Sequence, residues 1–238
     1  MSALSSDEAA NIIKIRDLLS GSEFAVEIKR LAIAGFTGRS TAEVKKHVDE
    51  LRSAGIEAPH RIPATYLVDP TLLTTASEIS VEGDHTSGEI EPVVVRANGT
   101  WFLFAGSDHT DRELEATSIH ASKEACPKVI SSDCFPVEAI EDWDRIELRS
   151  WLDDDTGTLY QQGTLSRLLP LESILASVTE RIGSIEDGDV VFLGTIPVRQ
   201  GGMRPSDSFA GEIQLSANGE CLSVTYRVQK TNGGTRRP

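Results

Sequence analysis

The sequence predicts an α+β domain rich in strands, and three observations carry that expectation. From residue 59 onward, short apolar runs at 64–68, 78–82, 89–96 and 100–105 are separated by Gly, Asn and Pro, the punctuation of strands joined by tight turns. Asn98-Gly99 and Asn218-Gly219 are hairpin signals, because the favoured two-residue turn needs positive φ at both positions. Helical periodicity is confined to a few segments. A chain of 238 residues suits one domain and buries roughly three-quarters of its unfolded surface, so its core needs no disulfides.

Taken in order, residues 6–20 carry Ile12, Ile13, Leu18 and Leu19 among charges and read as a short helix ending at Gly21. The segment 24–34 alternates, with Phe24, Val26 and Ile28 on one side, and predicts a strand ending at Gly35. Ser40-Thr41-Ala42-Glu43 has the form of a capping box, so a helix over 41–53 follows, with Val44, Val48 and Leu51 as its buried stripe and Gly55 as its stop. His47 lies beside that stripe, and Glu50 is its neighbour three residues on. A second helix is expected over 110–124, closed by Pro127. Then come a hairpin at 146–161, a helix at 171–181, an apolar strand at 189–193 and a last hairpin turning at Asn218-Gly219. Residues 231–238 read as a disordered tail.

Composition excludes several classes of function. Lys+Arg 23 against Asp+Glu 37 gives a net charge of -14, which repels polyanions, so nucleic acid is not an expected partner. No apolar run approaches the ~20 residues of a membrane helix. The first ten residues lack the basic start and apolar stretch of a secretory signal, and a cytoplasmic protein is expected. Cys126, Cys134 and Cys221 are odd in number and lack C-x-x-C spacing, which fits reduced thiols. There is no P-loop, no G-x-G-x-x-G after a strand, no G-x-S-x-G and no H-E-x-x-H. Asp153-Asp154-Asp155-Thr156-Gly157 lacks the distal ligand of a calcium loop and reads as a hairpin tip. His60, His85 and His120 have no ligand spacing.

Four constellations could carry chemistry. Glu89-Ile90-Glu91 puts two carboxylates on one face of a strand, which invites a divalent cation or a raised pKa, although a solvated strand shows the same pattern. Asp108, where the 100–105 strand meets the next helix, could complete an all-oxygen shell suited to Mg²⁺ or Mn²⁺, or could simply cap the helix. Lys128 after Pro127 could hold an anion or be a solvated lysine. Gly194-Thr195-Ile196-Pro197 would present amides and a hydroxyl at a strand end, or form an ordinary turn.

The order of these pieces resembles the fumarylacetoacetate hydrolase superfamily over residues 35–228. Glu89-Ile90-Glu91 is similar to its metal-binding Glu-x-Glu. The segment from Asp108 to Glu113 is similar to its Asp-x-Thr-x-Arg-Asp, with Glu113 in place of the final Asp. Lys128, six residues before Cys134, is similar to its active-site lysine, although Phe135 separates Cys134 from Pro136. The segment from Glu186 to Pro197 resembles its Pro-Gly-Asp strand ending in Gly-Thr-Pro, and Gln161-Gln162-Gly163 its Gln-x-Gly turn. His47-Val48-Asp49-Glu50 resembles its lid-helix His-x-x-Glu, although the approach from Gly38 is longer and lacks a Tyr, and the connection from Glu91 to Asp108 is shorter than usual.

The resemblance implies a mixed β-roll or sandwich with flanking helices, in which an N-terminal strand and lid helix (1–58) precede the catalytic roll (59–230) and the tail (231–238). It implies metal ligands Glu89, Glu91 and Asp108 for Mg²⁺ or Mn²⁺, catalytic His47, Glu50 and Lys128, and substrate-binding Arg112, Gly194 and Thr195. The expected activity is C–C hydrolysis or decarboxylation of a small 2-oxo or 1,3-dicarbonyl acid through an enolate, with His47 as general base and Glu50 fixing its tautomer. An isomerase or hydratase with the same site, or a non-catalytic metabolite-binding protein, are the alternatives. A small anionic metabolite and a second copy in a homodimer are the expected partners, with neither nucleic acid nor membrane.

Overall fold

The structure, a computed structural model, describes residues 10–53, 55–56, 58–153, 158–215 and 219–231. Two sheets dominate it. The larger runs in the order Glu23–Ile28, Asn11–Asp17, Asp133–Pro136, Thr100–Asp108, Ile90–Ala97, Asp189–Phe192, Arg30–Gly35, Ala64–Val68, with Lys128–Ile130 pairing both Thr100–Asp108 and Leu73–Thr74. The smaller runs Gln161–Thr164, Glu147–Leu152, Ser208–Gln214, Cys221–Thr231, Glu78–Glu82. Parallel and antiparallel pairs are mixed: Asp189–Phe192 is parallel to Arg30–Gly35 and antiparallel to Ile90–Ala97. This is the strand-rich α+β class that the sequence predicts.

The run Val93-Val94-Val95 is continuous because its strand is buried on both faces. Ile90 and Val94 join Leu103, Ala105 and residues of the smaller sheet, including Leu148, Ile213 and Val224, in one core. Val93 and Val95 join Phe104, Phe192 and Ile33 in a second core, which also holds Val26 from one end of the strand order and Val68 from the other. Residues from both ends can meet in one cluster only if the large sheet curls around it.

Four helices complete the described framework: α1 (Thr41–Ser53), α2 (Arg112–Glu115), α3 (Ile119–Glu124) and α4 (Leu171–Ile182). α1 forms as its cap predicts, with the Glu43 amide donating to Ser40 Oγ at 3.3 Å. Val48 is buried, with Val44 and Leu51 half-buried beside it. The expected 110–124 helix is instead a short strand, Thr110–Asp111, followed by α2 and α3. Asp111, not Asp108, caps α2, accepting from the Glu113 and Leu114 amides, and Ser118 caps α3 anew.

The expected N-terminal helix is also corrected. Asn11–Asp17 is a strand antiparallel to Glu23–Ile28, because Ile13 and Ile15 point inward at period two while Ile12 is 60 % exposed. The 24–34 strand divides at Lys29, whose amide donates to the Gly188 carbonyl at 2.9 Å. Segment 1–58 is woven into the main sheet through Arg16 beside Asp133 and Arg30 beside Asp189, so the boundary at 58 divides the sequence and not the sheet. Hairpins form at Asn98-Gly99, both with positive φ, and between Ser208–Gln214 and Cys221–Thr231. Asn218, the 154–157 tip and most of the expected tail lie outside the described residues. All three cysteines are free thiols.

Candidate functional site

The register of the large sheet decides which side chains meet. Ile90 lies opposite Ser107 and Glu91 opposite Gly106, which puts Glu89 opposite Asp108, whose amide donates to the Glu89 carbonyl at 3.3 Å. Lys128 lies opposite Asp108 on its other side. Paired residues share a face, so Glu89, Glu91, Asp108 and Lys128 project to the side that Val93, Val95 and Phe104 fill farther along. The acids stand at the mouth of the curled sheet, just beyond its apolar core.

Two glycines let the backbone come close enough. A Cβ at Gly88 would lie 2.4 Å from the Tyr226 hydroxyl oxygen and 2.6 Å from Ser107 Oγ. Gly194, at φ +96°, would put a Cβ 2.0 Å from Thr37 Oγ1, and its amide donates to Glu91 Oε2 at 3.0 Å. Thr195 Oγ1 donates to the Ile90 carbonyl at 2.7 Å and accepts from Gln161, whose side chain also accepts the Ile90 amide at 2.9 Å. Gln161 thereby fixes the Glu-x-Glu strand to the 194–197 turn.

Three buried acids and three cations interlock here. Lys123, on α3, donates its ammonium to Asp108 Oδ2. Lys128 Nζ lies 2.8 Å from Asp108 Oδ1, in an ion pair without hydrogen-bond geometry, and donates to the His109 carbonyl. Arg112 donates to Glu89 Oε2 at 3.0 Å, to Glu115 Oε2 at 2.8 Å and to Ser87 Oγ at 2.7 Å. Burial pushes the Asp108 carboxyl up, but Lys123 and Lys128 outweigh it and hold the group below the usual carboxylate range. Glu91 goes far the other way, raised by burial and then by Asp108, with the Lys123 ammonium and the Gly194 amide opposing too weakly. Burial lowers Lys123, yet Asp108 and Glu91 raise it more, so its pKa lies above that of an ordinary lysine; Lys128, also buried, is lowered. His109 is pushed down to about 3 by burial and by Lys128, and so is neutral, with its ring nitrogens 2.9 Å from the Tyr226 hydroxyl and 2.9 Å from Thr86 Oγ1.

Above the acids opens a cavity of about 550 Å³. The turn after Arg30–Gly35 and the face of α1 bearing Val44, His47 and Leu51 form one wall, with Glu89, Glu91, Arg112, Lys123, Arg167, Gly194 and Thr195 also lining it. The structure thus brings together six of the nine expected residues along this cavity: His47, Glu89, Glu91, Arg112, Gly194 and Thr195. Asp108 and Lys128 sit one layer beneath, fully buried, so Lys128 touches Asp108 and not the cavity. Glu50 lies on another side of α1, beside Lys45, Lys46 and Asp49. Its Oε2 is 3.9 Å from His47 Nδ1, too long for a hydrogen bond, with both side chains exposed. Lys123 and Arg167 were not foreseen. Arg167 is an exposed guanidinium with no carboxylate partner among the described residues.

Among the described residues, no group of three or more His, Cys, Asp or Glu side chains is arranged to hold a metal ion. By chemistry the acids do suit a hard dication: they are buried carboxylate oxygen donors on one face of the sheet. The arrangement differs from the expected shell because Lys123 contacts the Asp108 carboxylate that the ion would need.

The family model described as "Protein of unknown function (DUF2848)" matches residues 34–226. No sequence among curated proteins matches. Structural neighbours are fumarylacetoacetate hydrolase family proteins. The fumarylpyruvate hydrolase of Pseudomonas aeruginosa, in complex with Mn²⁺ and pyruvate, is 16% identical at a TM-score of 0.65 over 97% of this chain and 100% of its own. The 5-carboxymethyl-2-hydroxymuconate delta-isomerase of Mycobacterium smegmatis is 18% identical at 0.59, over 89% of this chain and 86% of its own. A 2-keto-3-deoxyarabinonate dehydratase is 18% identical at 0.60, over 86% and 74%. These likenesses establish the fold. No helix among the described residues is long and apolar enough to cross a membrane.

Proposed function

Because this chain belongs to the DUF2848 family and has the fold of the fumarylacetoacetate hydrolase proteins, we propose that it is an enzyme acting on a small 2-oxo or 1,3-dicarbonyl carboxylic acid, by C–C hydrolysis or decarboxylation. The observation that carries this reading is a cavity whose wall holds the buried Glu89–Arg112 pair and Lys123, which reaches from that wall to Asp108 beneath it. Its volume suits a small metabolite. Arg167 attracts a substrate carboxylate, and Val44 and Leu51 face its carbon skeleton. Glu89, Glu91 and Asp108 would hold Mg²⁺ or Mn²⁺, which when bound would supply Lewis-acid polarisation of a carbonyl. His47, on the cavity side of α1, carries the proton at its imidazole, with Glu50 orienting the ring when the lid closes and the separation shortens. Gly194 and Thr195 hold the Glu-x-Glu strand and shape the wall.

The proposal extends to a homodimer, for which Ile12 and Leu19, 60 % and 57 % exposed near the first strand, offer apolar surface. A screen of acylpyruvates and oxaloacetate with Mg²⁺ and Mn²⁺, read by product mass, tests the reaction. Cleavage products are expected. Mass-neutral or hydrated products would replace the reading with an isomerase or hydratase, chemistry represented among proteins of this fold. No turnover across the set would favour a metabolite-binding protein.

A further inference from the structure

We propose that Lys123 is a tethered cation occupying the place of a divalent ion among the three acids, and that a metal enters only by exchange with its ammonium. The inference rests on the reading of Glu89, Glu91 and Asp108 as a cation-holding set.

Lys123 is buried, its side chain 10 % exposed, and its ammonium is in direct contact with Asp108, which is itself completely buried. Lys123 also shares the lining of one cavity with Glu89 and Glu91. The remaining cations have other partners: Lys128 faces Asp108 from beneath and the His109 carbonyl, and Arg112 is divided between Glu89 and Glu115. Lys123 alone of these three combines a contact to Asp108 with a place on the cavity wall. A flexible four-carbon arm rooted on the two-turn helix α3 can withdraw into that cavity without moving the sheet. Lys128, with no exposed surface, has no comparable exit.

Exchange has a thermodynamic signature. A buried carboxylate cluster that loses one of its cations is left under-compensated, with only Lys128 against Asp108, which destabilises the fold, and a dication supplied from solution relieves that loss. Lys123→Met keeps an unbranched, flexible side chain one atom shorter and removes the charge. The variant is expected to melt lower than the wild type without metal, to regain that loss with Mn²⁺, and to bind Mn²⁺ about tenfold or more tightly than the wild type, measured by the electron paramagnetic resonance signal of free Mn²⁺. Adding Glu89→Gln to Lys123→Met should abolish the gain.

A measurement on the wild type covers a variant that does not fold. Lysine-directed labelling read by peptide mass should be slow at Lys123 and rise several-fold when Mn²⁺ saturates the protein, while Lys128 stays protected. Equal Mn²⁺ affinity in wild type and Lys123→Met, or labelling of Lys123 unaffected by bound Mn²⁺, overturns the exchange and leaves the carboxylate reading standing. Failure of Mn²⁺ to bind either protein overturns both.

Discussion

Arg167 and His109 make opposite residue-scale predictions. The Arg167 guanidinium stands in the cavity without a carboxylate partner among the described residues, so Arg167→Met should raise KM about 10- to 100-fold and leave kcat nearly unchanged, the mark of a group that binds ground and transition states alike. A matching fall in kcat in steady-state kinetics would give it a different role. His109 is a buried pillar whose folded pKa of about 3 lies below the ordinary 6.5. Below about pH 6.5 the unfolded chain takes up a proton that the folded ring refuses, so stability is fully present above that pH and falls by about 1.4 kcal/mol per pH unit on the way down to the folded value. Urea unfolding of His109→Gln between about pH 6 and 4 should show a pH slope shallower than wild type by about that amount. Equal slopes would mean that the native ring is protonated. The pairing of Glu89 with Glu91 was legible because side chains two apart on a strand share a face, and Asp108 joined them through the family resemblance. Lys123 was not, because reading 110–124 as one helix gives it the wrong direction, and the break depends on Ser118 capping α3. The depth of Lys128 follows from its pairing with Asp108, which its place after Pro127 does not disclose.

At the scale of elements, α1 and α4 are of similar length but differently held. α4 buries Leu171, Ile174 and Val178, whereas α1 buries Val48 with Val44 and Leu51 only half covered. A helix resting on so little apolar surface opens locally at low cost. Amides of α1 should therefore exchange with deuterium faster than those of α4, and Val48→Ala should speed α1 further, by the equivalent of about 1–2 kcal/mol, while leaving α4 unchanged. Uniform protection of both helices would rule out α1 as a mobile lid. The helix itself was plain from its capping box and apolar stripe. What spacing could not show is that His47 and Glu50, though one turn apart, lie on different sides of the cavity wall, because that depends on how the helix is rotated against the 34–38 turn.

For the whole molecule, a net charge of -14 acts against the compact state. Raising salt from about 0.01 M to 0.15 M shortens the screening length from about 30 Å to about 8 Å, and the melting temperature should rise by a few degrees in calorimetry. A fall would show that surface pairs such as Arg16–Asp133 and Arg39–Asp144 outweigh the repulsion. The strand-rich class was readable from the turn residues. The N-terminal hairpin was not, since Ile12 and Ile13 side by side blur the period and only the partner strand shows which of them is inside. The sheet also imposes an order in time. Arg30–Gly35 lies beside Asp189–Phe192, and Thr37 Oγ1 donates to the Leu193 carbonyl at 2.8 Å across 156 residues of sequence. A nascent chain still short of that second strand already carries every acid of the site yet has no pocket to put them in.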